Sequence, residues 1–148
     1  MKRCRDVERV KHKLIVMSGK GGVGKTTVSA FLVRWFAAQG NKVLAIDADP
    51  DANLGHGLGI RGAVEIMPIS EMKDLVAERT ESVPGSFGGF FKMNPQVDDL
   101  PEKLAVPSGD NIRLMVMGGV KKGGTGCVCP ESVLLKNLVQ HLILWRNE

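Results

Sequence analysis

Ser18-Gly19-Lys20-Gly21-Gly22-Val23-Gly24-Lys25-Thr26-Thr27 follows directly on the apolar run Leu14-Ile15-Val16-Met17. The stretch is a complete G-x-x-x-x-G-K-T phosphate-binding loop, with an apolar strand candidate before it and a helical stretch after it. Glycine has no Cβ, so the backbone can curl closely around a phosphate. Successive N–H groups then point at the anion, and the following helix N-terminus adds partial positive charge. In such a loop Lys25 is placed to reach the β- and γ-phosphates, and the Thr26 hydroxyl to bind Mg²⁺.

Working outward, Thr27 to Gln39 reads as a helix stopped at Gly40. Lys42 to Ile46 reads as a second buried strand. With Leu14 to Met17 as the first strand, this is a right-handed parallel βαβ unit. The second strand runs into Asp47-Ala48-Asp49-Pro50-Asp51-Ala52-Asn53. Ligands of open parallel sheets lie beyond the carboxyl ends of the strands, where these residues stand. Clustered carboxylates there repel one another unless they meet Mg²⁺, water or a lysine. The same residues also suit a solvated turn in which Asp49-Pro50 breaks the strand.

Further along, Ser70 is expected to cap a short helix from Glu71 to Arg79 that turns Met72, Leu75 and Val76 to one face. Residues 81–111 are rich in Gly, Pro, Ser and Asp and read as a long irregular excursion. Ile112 to Met117 reads as a third strand. Val133 to Trp145 reads as a helix with a polar stripe of Ser132, Lys136, Asn137, Gln140 and His141.

The chain has 148 residues, enough for one domain with a moderate core. Its formal charge of +4 resides in residues 1–13, which hold six Lys/Arg against two Asp/Glu; the rest is neutral. The basic character is therefore an N-terminal tail over residues 1–12, not a nucleic-acid-binding face. No apolar run approaches the roughly 20 residues of a membrane span. The start has no apolar core of a secretory signal. Three cysteines without an even framework suit a reducing cytoplasm.

Two of those cysteines lie in Gly123-Gly124-Thr125-Gly126-Cys127-Val128-Cys129-Pro130. Thiolates are soft ligands for zinc, nickel, copper(I) or iron–sulfur clusters. Two sulfurs do not fill a tetrahedral site, whereas a two-fold dimer supplies four. Two inert buried thiols or a C-x-C disulfide are the alternatives.

The loop's second lysine narrows the class. Lys20 makes K-G-G-x-G-K-T-T, which resembles the deviant phosphate loop of the MinD, ParA and nitrogenase iron protein superfamily. The resemblance implies that Lys20 reaches across a dimer interface to the partner's nucleotide. The acidic stretch is similar to that superfamily's first switch, D-x-D-P. It implies that Asp47 lies near the magnesium shell and Asp49 orients the attacking water. Over residues 13–148 the chain resembles the CooC family, ATPases that help insert nickel into carbon monoxide dehydrogenase. The motifs that carry this are Lys20 to Thr27, Asp47 to Asn53, Ser70 to Lys73, Pro84 to Phe91 and Val120 to Glu131.

The resemblance implies an α/β P-loop NTPase: a three-layer, Rossmann-like, mostly parallel sheet. It implies that Gly19, Lys20, Gly21, Gly22, Val23, Gly24, Lys25, Thr26 and Thr27 hold ATP with Mg²⁺, and that Lys20, Lys25 and Asp49 serve catalysis. Cys127 and Cys129 would hold Ni²⁺ or Zn²⁺ between two chains. The implied partners are a second copy, in a nucleotide- and metal-dependent homodimer, and carbon monoxide dehydrogenase. No nucleic acid or membrane span is implied. Cys4 and the basic tail have no family counterpart.

Family members run well beyond this length. The strand that should follow Trp145, ending in an acidic motif, belongs beside the phosphate-loop strand. The expectation is a partial sheet with C-terminal strands missing, open at its centre. A ParA- or MinD-like ATPase and an inactive fragment that binds only metal or a partner are the alternative readings.

Overall fold

The computed structural model describes residues 14–82, 90–109, 111–118 and 129–144. The basic tail with Cys4, the Pro84 to Phe91 motif up to residue 89, and Cys127 lie outside them.

A short mixed sheet with helices on both faces carries the fold. The elements run α1 (Lys25–Ala38), β1 (Val43–Asp47), α2 (Leu54–Gly57), two 3₁₀ turns (Ala63–Glu65 and Ile69–Glu71), α3 (Lys73–Thr80), α4 (Leu100–Leu104), β2 (Val106–Pro107), β3 (Ile112–Val116) and α5 (Pro130–Leu144). Strand order is β1-β3-β2. β1 and β3 are parallel, from Val43 opposite Ile112 to Asp47 opposite Val116. β2 pairs with β3 antiparallel. Pro107, which has no N–H to donate, sits on this edge strand.

The period-2 alternation of β1 and β3 divides the core in two. Ala45, Leu114 and Val116 face Ala30 of α1 with Leu54 and Leu58. Leu44, Ile46 and Met115 face Ile69, Val76 of α3 and Leu134, Leu135 and Leu138 of α5. The three-layer α/β architecture expected from the sequence is thus present as a partial sheet.

Several boundaries differ from the sequence reading. Ser70 is not a helix cap: it lies in a 3₁₀ turn, and α3 begins at Lys73. The Ser70 N–H donates to the Met117 carbonyl at 3.1 Å, which ties it to the exit of β3. The 81–111 excursion contains α4 and β2. α5 begins at Pro130, where a proline suits the first helical position. Of its expected polar stripe, Asn137 is half-buried and donates to the Met93 carbonyl at 3.0 Å.

The largest departure is Leu14 to Met17, which joins no strand. All four residues are exposed, Val16 at 75%. A strand needs a ladder partner, and neither edge of the sheet takes this segment. The Val43 N–H donates to Asn111 and the Met117 N–H to Asp47. By the alternation of a parallel ladder, Leu44 and Ile46 therefore direct their backbone groups to the other edge of β1. No described strand pairs there.

An ion pair ties α3 to the start of α4. Arg79 Nη1 and Nη2 donate to the two oxygens of Asp99 at 2.9 and 2.7 Å. Lys103 Nζ lies 2.7 Å from the same carboxylate. Arg79, and then Lys103, holds the Asp99 carboxyl well below the usual carboxylate range.

An open strand edge and exposed apolar residues favour self-association. Val16→Lys is expected to lower concentration-dependent association in sedimentation velocity while changing stability by less than about 0.5 kcal/mol. Unchanged association would assign the contact to another surface. Asp99→Asn is expected to cost about 1 kcal/mol at neutral pH. Because the folded-state carboxyl is depressed, this stability is present in full above its unfolded value of about 3.9 and lost as pH falls below that. Denaturation midpoints of the two proteins should converge in acid; a constant difference would place the effect in packing.

Candidate nucleotide site

α1 begins at Lys25, directly out of the glycine loop, and no side chain caps it. Its first-turn N–H groups are therefore available to an anion. Gly22 and Gly24 have φ of 78° and 89°. Residues with a Cβ rarely adopt such angles, so the glycines permit the loop's path. A Cβ at Gly21, Gly22 or Gly24 would meet no atom within 4 Å. These glycines therefore abut no other part of the described chain. Lys25 Nζ donates to the Lys20 carbonyl at 3.1 Å, folding the lysine back over its own loop. Lys20, Val23, Thr26 and Thr27 are exposed.

The acidic turn leaves the carboxyl end of β1. Asp47 is 7% exposed, one of two buried polar residues among those described. Its Oδ1 accepts the Asp49 N–H at 3.1 Å and its Oδ2 the Leu54 N–H at 2.8 Å. Asp49 and Asp51 are exposed, and Asp49 Oδ1 accepts the Asp51 N–H at 3.1 Å.

The loop and the turn meet through α2. A Cβ at Gly57 would stand 3.4 Å from Thr26 Cγ2 and 3.3 Å from Ala30 Cβ, so α2 packs closely on α1 and a side chain there would press on Ala30 by a few tenths of an ångström. Arg34 Nη2 donates to the Leu58 carbonyl at 3.0 Å and clamps the same pair. Gly57 and Arg34 were not singled out from the sequence. Their role lies in a contact between elements, for which no motif exists.

The expected metal site is represented by Cys129 alone, half-buried just ahead of α5. Its carbonyl accepts the Ser132 hydroxyl at 2.7 Å and the Val133 N–H at 3.1 Å. Among the described residues no three His, Cys, Asp or Glu side chains come together as a metal site.

No described helix is long and apolar enough to cross a membrane. The family model for the CobQ/CobB/MinD/ParA nucleotide-binding domain matches residues 14–139. An uncharacterized ATP-binding protein of Methanocaldococcus jannaschii is 48% identical over 134 residues, 90% of this chain and 51% of that one. The carbon monoxide dehydrogenase accessory protein CooC of Rhodospirillum rubrum is 43% identical over 136 residues, 90% of this chain and 51% of that one. An ATPase GET3 of Phaeosphaeria nodorum is 35% identical over 100 residues, 58% of this chain and 31% of that one. The chain thus spans about half the length of the first two relatives. Its phosphate loop, α1 and acidic turn all fall within the matched residues, and the chain belongs to the CobQ/CobB/MinD/ParA family of nucleotide-binding ATPase domains.

Proposed function

We propose that this chain is the nucleotide-binding part of an ATP-dependent metallochaperone that delivers nickel to carbon monoxide dehydrogenase. The observation that carries it is the glycine-rich loop with positive φ at Gly22 and Gly24, leading into the uncapped start of α1, with Lys25 held by one exchangeable hydrogen bond. The likeness to a carbon monoxide dehydrogenase accessory protein supports the choice of target. Lys25 would leave the Lys20 carbonyl for β- and γ-phosphate oxygens, and the α1 N–H groups would bind the same anion. Thr26, exposed beside this loop, would hold Mg²⁺. Asp49, exposed beyond β1, would orient the attacking water. Bound MgATP supplies the γ-phosphoryl group, whose transfer to that water drives the cycle. The cargo ion, Ni²⁺ or Zn²⁺, would sit between Cys127 and Cys129 of two chains, in a homodimer in which Lys20 serves the partner's nucleotide. The reading places the protein in the cytoplasm, with no nucleic-acid partner.

The two lysines should separate in titration and sedimentation. Lys25→Ala is expected to weaken MgATP binding about 100-fold or more, the loss of charge-assisted bonds to phosphate. Lys20→Ala is expected to spare affinity and abolish ATP-dependent dimerisation. Equal loss of binding in both would refute the division of roles.

Native mass spectrometry with Ni²⁺ or Zn²⁺ should find one ion per two chains. Affinity should weaken as pH falls, because the thiolates must be deprotonated. Replacing Cys127 and Cys129 by Ala should remove the ion and the metal-dependent dimer, whereas Cys4→Ala leaves both. One ion per monomer would defeat the shared site.

A further inference from the structure

We infer that Asp47 is the positioning residue of the acidic turn, holding Asp49 beyond the sheet and seating α2 against Thr26, and that it does not ligate the metal ion. The inference rests on the ATPase reading above and deepens it.

Asp47 is pinned before its side chain does anything. Its carbonyl accepts the Met117 N–H at 2.8 Å, which extends the β1–β3 ladder to the end of the strand. Its carboxylate then reaches two residues ahead to the Asp49 N–H and seven ahead to the Leu54 N–H. One side chain thereby sets both ends of the turn over residues 48–53.

The Leu54 N–H opens α2, whose own N-cap residue, Asn53, makes no side-chain cap. Asn53 Nδ2 donates instead to the Asp51 carbonyl at 2.6 Å. Asp47 is the substitute cap, supplied from the strand. From α2 the connection passes to Gly57 against Thr26, and to the Leu58 carbonyl held by Arg34. Sheet, acidic turn and magnesium-binding threonine are thus joined through one buried carboxylate.

Its burial separates Asp47 from Asp49 and Asp51, both of which are exposed. Both Asp47 oxygens are already acceptors, and charge-assisted bonds to backbone N–H groups are among the stronger ones. Each oxygen keeps a second lone pair, but at 7% exposure the side chain has little face open to an ion. Asparagine retains one acceptor but presents an NH₂ to the second backbone N–H, which is then left unsatisfied.

The test is Asp47→Asn in the full chain, read by amide exchange, nucleotide titration and single-turnover hydrolysis with protein in excess. The Asp49 and Leu54 amides should lose about tenfold or more of their protection. ADP affinity should keep its Mg²⁺ dependence within about threefold, while the hydrolysis rate of bound ATP falls about tenfold, a loss of rate without loss of ground-state binding. Unchanged protection at both amides would overturn the inference. So would loss of the Mg²⁺ dependence, which would make Asp47 a metal ligand. If Asp47→Asn does not fold, Asp47→Glu, which keeps the charge but displaces the oxygens by one methylene, should deprotect the same two amides. A wild-type chain that binds no nucleotide would defeat the ATPase reading, and the exchange measurement would then decide the role of Asp47 alone.

Discussion

The parallel ladder between β1 and β3 is the constraint on which the rest depends. Five residue pairs, Val43 with Ile112 to Asp47 with Val116, set which side chains face which layer. Ala45, Leu114 and Val116 receive α1 and α2, while Leu44, Ile46 and Met115 receive α3 and α5. A register slip of one residue in β3 would turn Leu114 and Met115 to the opposite layers. It would also move Asp47 away from Met117 and so loosen the start of the acidic turn.

The site inherits this asymmetry. Its acidic half grows out of a paired strand and is held by backbone bonds to a buried carboxylate. Its phosphate half enters from Leu14 to Met17, which has no ladder partner, and leads into α1. The two halves therefore meet through helix contacts, Gly57 against Thr26 and Arg34 against Leu58. The site thus combines an acidic turn tied to a buried carboxylate with a phosphate loop that continues into α1.

Much of the fold was legible because local pattern and tertiary context agree. α1, β1, α3 and β3 lie within a few residues of where periodicity and breakers place them. The phosphate loop was legible from spacing, since the need for glycines and a following helix is local. Leu14 to Met17 was misread for a physical reason: apolar content makes a segment eligible for a sheet, but pairing needs an adjacent partner. Ser70 was misread because the chain makes a 3₁₀ turn there, tied by the Ser70 N–H to Met117, 47 residues away, and the helix starts only at Lys73. The acidic turn was located, but not which of its aspartates turns inward. Three aspartates in seven residues look alike in sequence and differ only in burial.

The sequence by itself determined the make-up of the loop: glycines, a lysine and a threonine at fixed short spacing, and carboxylates at a strand end. Those properties follow from residue type and short spacing, over distances that the chain's own geometry controls. Only the tertiary structure decided that Asp47 turns inward while Asp49 stays exposed, that Gly57 seats α2 on the phosphate helix, and that the edge of β1 is open. Each of these depends on which distant backbone group claims a donor or acceptor, and that is settled when the layers pack.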